Sequence, residues 1–171
     1  MQKERNIFSY ITVVCFLLYI IFVMWVILFK LGFSLHEIQG ERVLNLIPFN
    51  YEKGSGGRFH FAEVINNVLI FVPVGAYLCL LFRKISFLKK AGLVFASSSV
   101  LECAQYILAV GSFDISDLIT NTIGGILGIS AFLIWRTAFR SKEKPEQGFA
   151  ILINLITILM AGEVLYIVLQ N

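Results

Sequence analysis

The sequence predicts an all-α fold, a polytopic membrane helical bundle of about five transmembrane helices with the N-terminus cytoplasmic and the C-terminus outside. Three observations lead there. First, 58% of the 171 residues are hydrophobic and only 15% are charged, where soluble domains carry roughly 25% charged residues. The mean hydropathy of +0.82 says the same, and a soluble core of this size could not absorb such an excess. Second, the apolar residues fall into runs of transmembrane length, roughly 20 helical residues each. Third, the 14 Lys and Arg residues are divided unevenly among the connections, the pattern that sets orientation in a bilayer. A net charge of +3 is too small to imply nucleic acid as a partner.

The first run, 7–29, holds no charge and only Ser9, Thr12 and Cys15 as mildly polar members. It is too long for a signal-peptide core and lacks a small-residue cleavage site, so a retained span is expected. Residues 30–61 form the long extracellular loop, with Lys30, Glu37, Glu41, Arg42, Glu52, Lys53 and Arg58 beside His36 and His60. Its middle, Leu44-Asn45-Leu46-Ile47-Pro48-Phe49, is too apolar for a free linker and is stopped by Pro48. That stretch is expected to dip back onto the membrane surface or to pack on the outer ends of the helices. Gly54-Ser55-Gly56-Gly57 reads as a flexible tip.

The second span, 62–82, contains Asn66, Asn67, Pro73 and Gly75. Pro73 has no N–H, which leaves the carbonyl near Leu69 without its helical partner and predicts a kink. The third span, 88–110, and the fourth, 117–135, are joined by the turn Gly111-Ser112-Phe113-Asp114-Ile115-Ser116. A charged linker, 136–147, leads to the last span, 149–169. All five belong to a single domain, 1–171.

With the N-terminus inside, one side of the membrane holds Lys3, Arg5, Arg83, Lys84, Lys89, Lys90, Arg136, Arg140, Lys142 and Lys144. The other holds only Lys30, Arg42, Lys53 and Arg58, so the 14 cations divide ten to four. That excess marks the cytoplasmic side and places the long loop and the Asp114 turn together on the outer face.

Depth then gathers the polar residues into one outer-leaflet slab. Asn66 and Asn67 open the second span, Glu102 and Gln105 lie in the outer half of the third, and Asp117 and Asn121 open the fourth. Glu102 and Gln105 are three apart and share a face; Asp114, Asp117 and Asn121 follow i, i+3, i+7. A short turn forces the third and fourth spans to pack antiparallel, so the two polar faces can meet. Because a charge at the bilayer centre costs at least about 2.5 kcal/mol, such residues face the bundle interior, pair, or serve function. Gly124 and Gly128 make a GxxxG with Gly125 beside it, a face that admits a neighbouring backbone, within the chain or in a dimer. These residues predict a polar pocket walled by the second, third and fourth spans.

The remaining candidates read plainly. Cys15, Cys79 and Cys103 have no CxxC spacing and serve as small packing residues. His36 and His60 lack ligand spacing, so no metal and no cofactor is expected. Asn154 and Glu163 are isolated polar positions in the last span, inward-facing or interfacial.

Four ordered blocks bring a family into view: Asn45-Leu46-Ile47-Pro48-Phe49; Asn66-Asn67-Val68-Leu69-Ile70-Phe71-Val72-Pro73-Val74-Gly75; Glu102 with Gln105; and Asp114-Ile115-Ser116-Asp117-Leu118-Ile119-Thr120-Asn121-Thr122-Ile123-Gly124-Gly125. Together, over residues 42–128, the chain resembles the VanZ-like family. The resemblance implies a small bacterial plasma-membrane protein conferring low-level resistance to teicoplanin-type lipoglycopeptides. It brings no settled reaction with it. Binding candidates are Asn67, Glu102, Gln105, Asp114, Asp117, Asn121 and Arg42, with membrane lipids, a lipoglycopeptide or a lipid-linked cell-wall precursor as partners. Pro48, Pro73, Gly75, Gly124, Gly125 and Gly128 are shape and packing residues. The alternative is a membrane enzyme acting on a polyprenyl-linked or phospholipid substrate, with Glu102 or Asp117 as acid or base and Arg42 or Arg58 on the phosphate.

Overall fold

Apolar runs of this length have one low-energy solution in lipid, the helix, because every backbone N–H and C=O must be satisfied within the segment. In a computed structural model describing residues 2–29, 42–49, 61–141 and 144–170, the chain forms five helices. They are α1 (Gln2–Phe29), α2 (Phe61–Leu81), α3 (Phe87–Leu108), α4 (Ile115–Ala138) and α5 (Pro145–Gln170). Each contains a stretch long and apolar enough to cross a membrane. Two two-residue strands, β1 (Leu44–Asn45) and β2 (Phe113–Asp114), pair in parallel between the loop and the α3–α4 turn. Lys30, His36, Arg58, His60 and the Gly54–Gly57 tip lie outside the described residues, as does the Glu163 side chain.

Helix ends follow local chemistry. α3 stops at Leu108 because Ala109 takes a left-handed conformation (φ 54). The N–H of Val110 then reaches the Gln105 carbonyl at 3.1 Å and that of Ala109 the Tyr106 carbonyl at 3.3 Å, a Schellman closure. α4 opens at Ile115, two residues before the predicted span, because Asp114 caps it: its carboxylate accepts from the Ser116 N–H at 2.7 Å. α5 opens at Pro145, where a missing N–H costs nothing, and the Trp135 indole donates to the Pro145 carbonyl at 2.9 Å across the linker.

The centre of the bundle is the α2–α4 contact. A Cβ on Gly124 would strike the Val68 carbonyl, one on Gly128 the Val72 carbonyl, and one on Gly75 the Gly125 carbonyl. Gly125 faces the Val94 side chain of α3. The GxxxG face is thus occupied by α2 of the same chain. α1 closes one flank with Tyr19, fully buried, whose hydroxyl donates to the Ile70 carbonyl at 2.7 Å. That bond falls one residue from the carbonyl of Leu69, which Pro73 deprives of a helical donor, and α2 runs on through the proline.

At the other end of α2, Tyr77 holds three helices together. Its hydroxyl donates to Asn154 Oδ1 at 3.1 Å and lies 2.8 Å from the Thr157 hydroxyl, while the Asn154 amide donates to Thr12 at 3.3 Å. Asn154, isolated in the sequence, is an interhelical bridge between α1, α2 and α5.

Replacing Gly128 or Gly75 by alanine should destabilise the bundle by about 1–3 kcal/mol, as overpacking does. Gly92→Ala, with open space around it, should leave stability unchanged or slightly raised. Thermal unfolding of the purified proteins, read beside membrane abundance, checks the contrast.

Candidate functional site

The predicted polar residues collect at the end of the bundle where the α3–α4 turn meets the 42–49 strap. The strap pairs with the turn through backbone, the Phe113 N–H donating to the Val43 carbonyl at 3.0 Å, with Leu44 opposite Phe113 and Asn45 opposite Asp114. Side chains lock the same junction. The Asn45 amide donates to Asp114 Oδ2 at 2.9 Å, and the Phe49 N–H donates to the Ser116 hydroxyl at 2.9 Å. Phe49 adopts a left-handed conformation (φ 57) to turn that N–H inward. The Asp114 N–H in turn donates to Glu102 Oε2 at 2.9 Å, so α3, the turn, α4 and the strap share one hydrogen-bonded cluster.

Glu102 is 1% exposed, Gln105 5% and Asn121 1%. Gln105 donates to the Ile27 carbonyl at 2.9 Å, one of the last carbonyls of α1 that the helix cannot satisfy itself. Asn121 donates to the Ser98 hydroxyl of α3 at 3.0 Å. Asp117 turns the other way and accepts from Asn67 of α2 at 2.7 Å. Asp114, Asp117 and Asn121, which the i, i+3, i+7 spacing puts on one face, therefore go to the strap, to α2 and to α3 respectively. Asn66 is exposed.

Two acceptors stand out inside this cluster. Gln105 Oε1 and Asn121 Oδ1 are buried with no hydrogen-bond partner among the described residues. Asn121 can relieve its own by an amide flip, since the Ser98 hydroxyl both donates and accepts. Gln105 cannot, because the Ile27 carbonyl takes only a donor. A buried acceptor left bare costs about 1–3 kcal/mol, and a ligand or water bearing N–H or O–H would recover it.

The cavity beside the cluster is apolar. A groove of about 330 Å³ is lined by Leu44, Leu46, Cys103, Tyr106, Ile107 and Phe113. The side chains of the 42–49 strap thus divide by strand alternation: Leu44 and Leu46 face the groove and Asn45 the polar cluster, while across the ladder Phe113 and Asp114 divide the same way. Arg42 sits at the rim, exposed, donating to the Ile107 carbonyl at 3.2 Å. Arg58, its partner in the sequence reading, lies outside the described residues. Among those residues no group of three or more His, Cys, Asp or Glu is placed to hold a metal ion.

Sequence reasoning did not single out Ser98, Ser116 or the residues that line the groove. Ser98 completes an i, i+4, i+7 face with Glu102 and Gln105, a periodicity signal that was present. The apolar 44–49 stretch signalled that the strap would pack back, as it does against the α3–α4 turn. Its partners lie more than 60 residues away, so Ser116 and the groove lining had no local signal.

Comparison with known proteins gives consistent matches. The VanZ/LLP1 family model matches residues 16–136. Protein VanZ of Enterococcus faecium is 35% identical over 145 residues, covering 84% of this chain and 86% of that protein. No solved structure matches the chain.

The geometry separates two roles of Glu102, acceptor and charge. Glu102→Gln keeps an oxygen for the Asp114 N–H and should fold with near-native stability. Glu102→Leu strips that buried donor of its acceptor and should cost about 1–3 kcal/mol. Thermal unfolding of the two variants side by side distinguishes them, and equal losses would mean that the charge itself is structural.

Proposed function

The chain belongs to the VanZ/LLP1 family, and on that premise we propose that it lowers susceptibility to teicoplanin-type lipoglycopeptides by binding drug or lipid at the hairpin end of the bundle. It is a multi-pass membrane protein. Family membership supports a bacterial plasma-membrane placement, and the Lys and Arg distribution supports an outer-leaflet position for the hairpin end, where a lipoglycopeptide inserts its fatty-acyl tail.

The observation that carries this reading is the juxtaposition of an acceptor-rich buried cluster with an apolar groove across one short strap. An amphiphile has the same two-part chemistry. Its hydroxyl or amine donors match Gln105 Oε1, and its tail matches the groove walls of Leu44, Tyr106 and Ile107. The cluster is closed in this structure, since the Asn45–Asp114, Phe49–Ser116 and Val43–Phe113 bonds tie the strap down. A head group larger than water must displace those bonds to enter, which makes the strap the gate of the proposed site.

Expression of the wild type, Glu102→Gln and Asp117→Asn in a susceptible Gram-positive host tests the proposal. Inhibitory concentrations of teicoplanin and vancomycin are read beside membrane abundance of each variant. The expected result is teicoplanin protection by the wild type, lost in both variants at undiminished protein level, with vancomycin unaffected. Resistance and abundance falling together would assign the acids to folding, and a wild type without protection would overturn the functional reading.

A further inference from the structure

The groove and its rim carry more than the drug phenotype requires. Its walls present apolar surface and its volume is about 330 Å³, at the low end of small-ligand cavities. A transmembrane helix, about 10 Å across with its side chains, would need several times that space, so the groove admits a chain rather than a helix. Among the described residues, the charge at its edge is positive. Arg42 uses a single N–H on the Ile107 carbonyl, and Ile107 itself lines the groove. This bond caps one of the last carbonyls of α3 and fixes the guanidinium where the groove opens. A guanidinium carries five N–H donors, so one bond to Ile107 leaves others for a ligand. Fork geometry and charge both suit a phosphate.

We propose that the groove between the 42–49 strap and α3 binds one acyl chain of an anionic phospholipid, with its phosphate held by Arg42. This deepens the reading above by assigning its lipid side, and rests on it only for the membrane placement of the hairpin end. Bound there, the chain lies against Leu44, Leu46 and Phe113, the apolar side of the strap whose other side closes the Glu102–Asp114 cluster. Lipid occupancy therefore bears directly on the strap. The phospholipid acts as a resident ligand that props the apolar side of the gate.

The chain supplies its own reporter. Cys103 lines the groove and is exposed, whereas Cys15 and Cys79 are buried. The full-length protein is reconstituted in phosphatidylcholine nanodiscs with stepwise addition of phosphatidylglycerol, and the alkylation rate of Cys103 by N-ethylmaleimide is followed by mass spectrometry. Phosphatidylglycerol should protect Cys103 saturably. Arg42→Gln should weaken that half-saturation about fivefold, the size of one exposed charge-assisted contact, and Arg42→Lys should restore part of it. Bulk effects of an anionic bilayer on the thiol are identical in wild type and variant, so the difference between them is the readout, and thermal unfolding confirms that Arg42→Gln is folded.

Equal Cys103 rates in phosphatidylcholine and phosphatidylglycerol, or a dependence untouched by Arg42→Gln, would overturn the proposal. Protection by teicoplanin but not by phosphatidylglycerol would also overturn it, assigning the groove to the drug's tail while leaving the resistance reading standing. Loss of resistance in the acid variants with no phosphatidylglycerol effect separates the two readings in the same way.

Discussion

The N-terminus of α4 presents the constraint on which the hairpin end is built. A helix opens with backbone N–H groups that have no partner inside it, and in apolar surroundings water is not there to supply one. Asp114 answers with one carboxylate oxygen on the Ser116 N–H and the other on Asn45, while its own N–H goes to Glu102. One cap thus joins α4 to the strap and to α3. Glu102 is buried for the same reason: the N–H it accepts faces the interior of the junction. Ser116 extends the logic, since its hydroxyl takes the Phe49 N–H at the far end of the strap.

That arrangement needs α4 pressed against α2 and α3 at once, and the glycines of α4 allow it. Gly124 and Gly128 let the Val68 and Val72 carbonyls of α2 come close, and Gly125 receives Val94 of α3. Seated in the seam between two helices, α4 sends Asp117 to Asn67 on one side and Asn121 to Ser98 on the other. Packing by small residues and pairing by polar ones are therefore one device in this bundle. The glycine stripe sets the distance at which the amide and carboxylate bonds can form, at 2.7 and 3.0 Å.

The five helices were legible because length and hydropathy are local properties, and the facing of α3 and α4 because the turn between them is short. Glu102 and Gln105 share a buried face as their spacing requires. Other features were hidden for identifiable reasons. Spacing put Asp114, Asp117 and Asn121 on one face but could not reveal that the face straddles a seam and serves three partners. α3 ended two residues early because Ala109, not a glycine, takes the left-handed position. The β1–β2 ladder is two residues long, below any periodicity signal, although strand alternation decides which side of the strap is polar. Asn154 appeared alone because its partners Thr12 and Tyr77 are 142 and 77 residues away.

The two ends of the bundle offer an internal comparison that bears on whether the hairpin cluster is only glue. At the Tyr77 end, Asn154 uses its oxygen on the Tyr77 hydroxyl and its amide on Thr12, and the Thr157 hydroxyl, 2.8 Å away, donates to the Tyr77 oxygen. That network closes on itself, as buried polar groups with a purely structural duty do. At the hairpin end the same bundle buries an amide whose N–H₂ is fixed by the Ile27 carbonyl and whose oxygen faces no donor among the described residues. Among the described residues, the chain completes one buried network and leaves Gln105 Oε1 in the other without a donor, at the end of the bundle that holds an apolar groove with a cation at its rim. Interhelical adhesion is served equally well by a closed network. An unfilled acceptor next to a chain-sized groove is what a site for an amphiphile requires, and the proposed function draws on that match at the 42–49 strap.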